Sequence, residues 1–264
     1  MTTIFVLGSG SAGNALAVSS GDEALLIDAG FSAREVHRRA EAAGLNMRRV
    51  IGIVITHEHG DHTAGAARLA ATLRIPILAS VGTWDRLRPR MAKAAFVPLA
   101  IMGGVQLGGF HIEACPTSHD AAEPIALSIR TAAGHRIGIA YDLGRPTAAV
   151  RYILRDSHAI ILEANHDEVL LRTSDYPATV QERIAGSGGH LSNRAAAEIL
   201  AAVVHAGLAA VILAHMSERC NTAEHARAEV DPVLIPHGVA LHLALQHTPM
   251  APLILQPVPV PTNA

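Results

Sequence analysis

In the stretch His57-Glu58-His59-Gly60-Asp61-His62, the pattern H-x-H-x-D-H offers imidazole nitrogen and carboxylate oxygen from one short segment. That donor mixture suits zinc or manganese. One catalytic zinc needs only three protein ligands and an open position. The surplus carboxylate and imidazole therefore point to a second ion, and so to a two-metal hydrolytic centre. A histidine-rich surface loop is the competing reading. It is disfavoured because the stretch directly follows residues 50–56, an apolar and largely β-branched run that reads as a buried strand. Gly60 is expected to close the turn through a positive φ.

Three more candidate donors, His119, Asp142 and His215, stand in the same topological place, at or just beyond the exit of an apolar strand. A lone histidine is usually structural. Recurrence at one place in the topology favours a shared site.

The elements that must deliver these residues are legible in outline. Residues 3–7, 14–19 and 24–27 read as strands of an antiparallel meander, and 32–43 as a helix. The segment 64–73 is a small-residue helical run, 75–79 a strand and 83–94 a helix. Residues 97–101, 104–107 and 110–114 read as strands, followed by strands 125–130 and 136–140, helix 147–155 and strand 159–163. After a longer excursion over 166–189 come helix 193–205, strand 209–213 and helix 224–231. Leu25-Leu26-Ile27-Asp28-Ala29-Gly30 and Ile139-Ala140-Tyr141-Asp142-Leu143-Gly144 are alike, each an apolar strand delivering an aspartate before a glycine. This weak repeat predicts two similar β-rich halves facing each other. Gly8-Ser9-Gly10-Ser11-Ala12-Gly13 matches the dinucleotide fingerprint G-x-G-x-x-G, but a strand follows it instead of a helix. A backbone loop with free N–H groups toward an anion is the alternative.

The chain has 264 residues, with a formal net charge of −2 and 16 histidines. No global basic field marks it as a binder of nucleic acid, so any such contact must be local. Arg34, Arg38 and Arg39 are read as a solvated helix face, and Arg172, Arg183 and Arg219 as surface arginines within reach of phosphates. The two cysteines, Cys115 and Cys220, form no ligand pair by spacing, and a reducing cytoplasm is the default compartment. No signal peptide is read at Met1, and no membrane span anywhere. Residues 1–255 are expected to form one domain, with 256–264 a loose, proline-rich tail.

These residues together resemble the metallo-β-lactamase-fold hydrolases, whose fold is an αββα sandwich of two facing mixed sheets flanked by helices. By that resemblance His57, His59 and His119 would hold one divalent ion. Asp61, His62 and His215 would hold the other, Asp142 would bridge them, and Asp28 would lie beneath as a structural carboxylate. The Gly8–Asn14 opening, Glu163-Ala164-Asn165-His166-Asp167, Tyr176-Pro177 with Arg183, Gly189-His190-Leu191-Ser192-Asn193 and Ala214-His215-Met216-Ser217 with Asn221 resemble the YycJ-type subgroup, which is associated with exonuclease activity on DNA. The His190 segment is also similar to the part of ribonuclease Z relatives whose histidine assists at the phosphate. The interval from Asp142 to His215 is too short for the large inserted domain of ribonuclease J.

The expected chemistry is phosphodiester cleavage by hydroxide bridging two zinc or manganese ions. Asp61 would serve as ligand and orient the nucleophile, and His190 as donor or general acid. Ser9, Asn14, Asn165, His166, Ser192 and Asn193 are substrate-side candidates, and the partner is a phosphodiester, a DNA or RNA end or a small ester. Oligomeric state stays open, a dimer included. The competing enzyme class is thioester or acyl hydrolysis of the glyoxalase II or lactamase type. A binding protein that kept the fold but lost chemistry would have no need for a complete ligand set.

Overall fold

A computed structural model describes residues 1–91 and 93–257. Most of the expected tail therefore lies outside the described residues. The first sheet is built from β1 (Thr2–Gly8), β2 (Ala15–Ser20), β3 (Glu23–Ile27), β4 (Val50–Val54), β5 (Ile77–Ala79) and β6 (Phe96–Pro98). The second takes β7 (Gly104–Leu107), β8 (Phe110–Pro116), β9 (Ile125–Thr131), β10 (Arg136–Ala140), β11 (Ala159–Glu163), β12 (Ala210–Ala214) and β13 (Ala240–Leu243). The last strand, β14 (Leu253–Leu255), returns to the edge of the first sheet beside β1. The orders are β14-β1-β2-β3-β4-β5-β6 and β13-β12-β11-β10-β9-β8-β7. β13 and β14 are absent from the sequence reading.

Both sheets are mixed in the same way. β14 to β3 and β7 to β10 pair antiparallel, whereas β3 to β6 and β10 to β13 pair parallel. The hairpin β2–β3 thus corresponds to the hairpin β9–β10. Asp28 follows one, Asp142 follows the other, and the two have φ of 56° and 55°. The weak repeat in the sequence marks this correspondence.

Apolar residues of the facing strands, such as Ile4, Leu25, Phe110 and Ile139, fill the space between the sheets. α1 (Ala33–Ala42), α3 (Ala66–Leu73) and α4 (Val81–Leu87) pack on the outer face of the first sheet. α5 (Ala148–Leu154), α8 (Asn193–Val203) and α9 (Ala223–Leu234) cover the second, giving an αββα sandwich. α2 (Gly60–Thr63), α6 (Glu168–Arg172) and α7 (Ala178–Ala185) are short and lie near the site.

Two expectations about local structure fail. The helix predicted over 64–73 starts earlier, as α2, so Asp61 and His62 sit on a helical turn with Gly60 at its start. Gly60 has no positive φ, and a Cβ there would meet nothing within 4 Å. The second concerns Arg39, which is buried at 5% exposure, not solvated. Its guanidinium donates to the carbonyls of Leu7 at 2.9 Å and Gln246 at 2.8 Å and lies over the Phe31 ring.

The tightest-fitting glycine among the described residues is Gly30. A Cβ there would overlap the carbonyl of Asp61. The approach is tight because backbone hydrogen bonds stitch three loops together: Gly30 donates to Asn14, Asn14 to Asp61 and Ala29 to His62, at 2.8–2.9 Å. Gly30→Ala must push backbone against backbone. Overpacking of this kind should lower stability by roughly 3 kcal/mol, about 6–12 °C in Tm for a chain of this size. Gly60→Ala is the silent control in the same thermal melts. Equal Tm for the two variants would refute the role given to Gly30.

Candidate metal centre

All the candidate donors except His59, His119 and those on α2 sit at or just beyond the carboxyl ends of strands, where parallel sheets carry their ligands. Asp28 follows β3, His57 lies beyond β4, Asp142 beyond β10 and His215 directly after β12. Asp28, Asp142 and His215 all have positive φ, and His215 is at 53°. Such conformations are uncommon outside glycine and concentrate at functional sites.

Asp28 is fully buried and collects several donors. Its Oδ1 accepts from the Thr56 amide at 2.9 Å. Its Oδ2 accepts from the Thr56 hydroxyl at 2.8 Å, the Tyr141 hydroxyl at 2.7 Å and His62 Nδ1 at 2.7 Å. The Thr56 hydroxyl spends its proton on Asp28, so it accepts from His57 Nδ1, 3.1 Å away. Asp28 therefore sets both tautomers, His62 directly and His57 through Thr56, and leaves each Nε2 as the acceptor nitrogen. His119 Nδ1 donates to the Gly189 carbonyl at 3.1 Å, which likewise frees its Nε2.

These freed nitrogens converge. His57 Nε2 lies 3.1 Å from His59 Nδ1, which lies 3.3 Å from His119 Nε2. Tetrahedral coordination at about 2.0–2.1 Å places ligand nitrogens about 3.3 Å apart. Across the cluster Asp61 Oδ2 stands 3.5 Å from His62 Nε2 and 3.6 Å from His215 Nε2. Asp142 lies between. Its Oδ2 is 3.0 Å from His62 Nε2, and its Oδ1 is 3.5 Å from His215 Nε2 and 4.0 Å from His119 Nε2. The donor atoms of His57, His59 and His119 all fall within 4.8 Å of one another, as do those of Asp61, His62 and His215. Asp142 Oδ2 and His215 Nε2 are buried without a hydrogen-bond partner.

The charge balance also fits cations. Burial disfavours the charged forms, yet the imidazoles around Asp142 hold its carboxyl well below the usual range. Burial likewise works against His215, but Asp142, Asp61 and Glu163 raise it to about 10. Asp28 and Asp142 raise His62 in the same way. The carboxylates call for positive charge at the centre, and divalent ions supply it while leaving the imidazole lone pairs free. The cluster is therefore suited to two divalent metal ions.

His190 stands beside the cluster. Its Nδ1 donates to Glu163 Oε1 at 2.8 Å and lies 3.4 Å from Asp142 Oδ1. Burial pushes His190 down, but the Glu163 carboxylate outweighs it and the imidazole is raised above its ordinary value. Glu163 is fully buried, and its other oxygen accepts from the Leu143 amide at 2.6 Å. It went without a role in the sequence reading. The available signal was an acid closing the otherwise apolar strand Ala159–Glu163.

The cavity over the cluster is about 310 Å³ and is lined by His59, Asp61, His119, Asp142, His190 and His215 among others. The substrate-side candidates lie elsewhere. Ser9 donates to Asn14 Oδ1 and accepts from the His215 amide, both at 2.9 Å. Asn14 also bonds Gly10 and touches His62 Nε2 at 3.1 Å. Asn165 donates to the His215 carbonyl at 2.8 Å, and Asn193 pairs with Asn221. These four side chains are occupied in holding loops and do not line the cavity. His166 and Ser192 border a neighbouring cavity with Arg172, on the other side of His190. In the glycine loop the amides of Ser9, Gly10, Ala12 and Gly13 have acceptors within the protein, and Ser11 borders the metal cavity. Among the described residues no helix is long and apolar enough to cross a membrane.

The Beta-lactamase superfamily domain family matches residues 23–216. The chain is 33% identical over 248 residues to exodeoxyribonuclease YycJ of Bacillus anthracis, covering 91% of this chain and 92% of that protein. It is 27% identical over 224 residues to exodeoxyribonuclease WalJ of Streptococcus pneumoniae, covering 83% of each. Among solved structures, the metallo-β-lactamase fold protein YhfI of Bacillus subtilis superposes with a TM-score of 0.73 at 18% identity, over 94% of this chain and 98% of that one. With the αββα sandwich and the donors gathered at its strand exits, this chain belongs to the β-lactamase superfamily and is a metallo-β-lactamase-fold hydrolase.

Proposed function

We propose that the protein is a two-metal phosphodiesterase that removes nucleotides from DNA ends. The observation that carries this reading is the pair of donor triads, His57/His59/His119 and Asp61/His62/His215, with Asp142 between them. In this assignment each triad would hold one ion with Asp142 placed to serve both, and Asp28 and Thr56 would fix the imidazoles. The similarity to an exodeoxyribonuclease over nine-tenths of both chains supports DNA as the substrate.

Two bound ions would acidify a water and neutralise charge developing on phosphoryl oxygens. The remaining steps belong to the protein. Asp61 is the more exposed of the acidic donors, at 27% for its side chain, and its carboxylate orients the attacking water. His190, held by Glu163 at the cavity wall, donates to a phosphoryl oxygen or to the departing alkoxide.

Protein reconstituted with excess Mn²⁺ or Zn²⁺ should bind two ions per chain by elemental analysis. A side-by-side assay then fixes the substrate class. Bis-p-nitrophenyl phosphate and end-labelled DNA should be hydrolysed faster than S-lactoylglutathione and nitrocefin. Robust thioester turnover beside inert phosphodiesters would reverse the assignment to acyl hydrolysis. Labelled RNA in the same assay separates a nuclease of both polymers from one of DNA alone.

A further inference from the structure

The lining of the metal cavity is not all polar. Tyr176, Val180 and Ile184 recur every fourth residue, and all three border the cavity. Val180 and Ile184 lie one turn apart on α7, a helix with no buried residue. An apolar wall contributes nothing to holding ions. Its place in the same cavity as the charged centre fits a substrate with an apolar, planar part beside its anionic one.

Among the described residues Tyr176 is the only phenylalanine, tyrosine or tryptophan in that lining. Its backbone is fixed on both sides. Pro177 restricts it to extended conformations. The Gln181 amide donates to the carbonyls of Tyr176 at 2.9 Å and Ser174 at 3.3 Å. The Arg219 guanidinium stands over the ring, 4.7 Å from its centre, and is itself gripped by both oxygens of Asp175 at 2.9 and 3.1 Å. Arg219 borders the adjacent groove with Ser11 and Ser217, whereas Tyr176 borders both that groove and the metal cavity. The aromatic ring is thus braced from the groove side and presented to the cavity.

The charges at this rim are already paired. Arg183 is bound to Asp120 at 2.8 Å, and Arg219 to Asp175. With a net charge of −2 the chain has little electrostatic hold on a polynucleotide. Stacking would add a means of grip beside the metal centre. It tolerates every sequence because each base has a π-face.

We propose that Tyr176 is the platform on which the base of the terminal nucleotide stacks, with Val180 and Ile184 flanking its sugar. The substrate is then a single-stranded or frayed nucleic-acid end, held by its base and read without sequence preference. This inference rests on the phosphodiesterase reading above.

The test uses metal-loaded wild type, Tyr176→Phe and Tyr176→Leu with two oligonucleotides. One is single-stranded DNA, and the other is the same strand with an abasic tetrahydrofuran at the terminal position. The wild type should prefer the base-bearing end by about 10- to 100-fold in kcat/KM, chiefly through KM, the size expected of one stacked base. Phe should keep that preference and Leu should reduce it toward one. A binding measurement runs beside it. A terminal 2-aminopurine on a non-hydrolysable methylphosphonate linkage should lose fluorescence on binding to wild type and Phe, but not to Leu. Wild-type preference and quenching in the Leu variant would overturn the proposal and leave a wall suited to any apolar group, an acyl chain included. If the wild type hydrolyses methyl p-nitrophenyl phosphate but shows no Tyr176-dependent quenching, stacking falls alone. Should no phosphodiester be hydrolysed while quenching still depends on Tyr176, the phosphodiesterase reading falls and the stacking site stands.

Discussion

Replacing Asp142 by Asn is expected to take the reconstituted protein from two ions per chain toward one and to lower phosphodiester turnover by roughly 10³-fold or more. The argument starts from the backbone. Asp142 sits at φ 55°, a conformation in which Asp and Asn are several-fold enriched over other non-glycine residues. Asn fits the same buried space and removes only the charge. That charge is central, since Asp142 approaches His62 with one oxygen and His215 with the other. Its Oδ2 is buried with no hydrogen-bond partner and stands 3.0 Å from His62 Nε2, a position that suits a cation. A neutral amide would place either a weak carbonyl ligand or an N–H group against the ions. Circular dichroism and thermal melts of the metal-free variant control for folding. Two ions retained together with near-normal turnover would remove Asp142 from the bridging position.

Much of this centre was legible because its signals are local. The pattern His57-x-His59-x-Asp61-His62 needs no tertiary information, and Asp28, Asp142 and His215 are announced by the apolar strands that end on them. Residues whose partners are remote in sequence were not legible. Arg39 looks like one of a solvated cluster, yet it shares a helix face with buried Val36 and Ala40. Its carbonyl partner Gln246 lies 207 residues away. Glu163 is similar. Only the fold brings it against His190 and the Leu143 amide, 27 and 20 residues distant. Asn165 and Asn193 stand among the substrate-side candidates of the sequence. In the folded chain their amides are occupied by the His215 carbonyl and Asn221. Gly60 was misread for the opposite reason. A glycine between ligands suggests a tight turn, but the chain simply enters α2 there.

His190→Ala separates chemistry from metal binding. Its Nδ1 is committed to Glu163, so the ring presents Nε2 and carbon edges to the cavity. No ion in the assignment above depends on it. The variant should therefore keep two ions per chain by elemental analysis, unlike Asp142→Asn. If His190 acts on charge that appears only in the transition state, kcat and kcat/KM should fall by similar factors. A loss of roughly 10²-fold or more is the size expected of a positioned donor or general acid. The leaving group distinguishes these two roles. p-Nitrophenolate departs without a proton, whereas the alkoxide of a nucleotide needs one. A general acid therefore gives a large loss on DNA and a small one on bis-p-nitrophenyl phosphate. A donor to a phosphoryl oxygen gives comparable losses on both. Normal turnover of both substrates would leave His190 as packing between Glu163 and the cavity. Loss of an ion in His190→Ala would instead make it a ligand, since its side chain already groups with Asp142, Glu163 and His215 within 4.8 Å. The place of His215 in the second triad would then have to be reassigned.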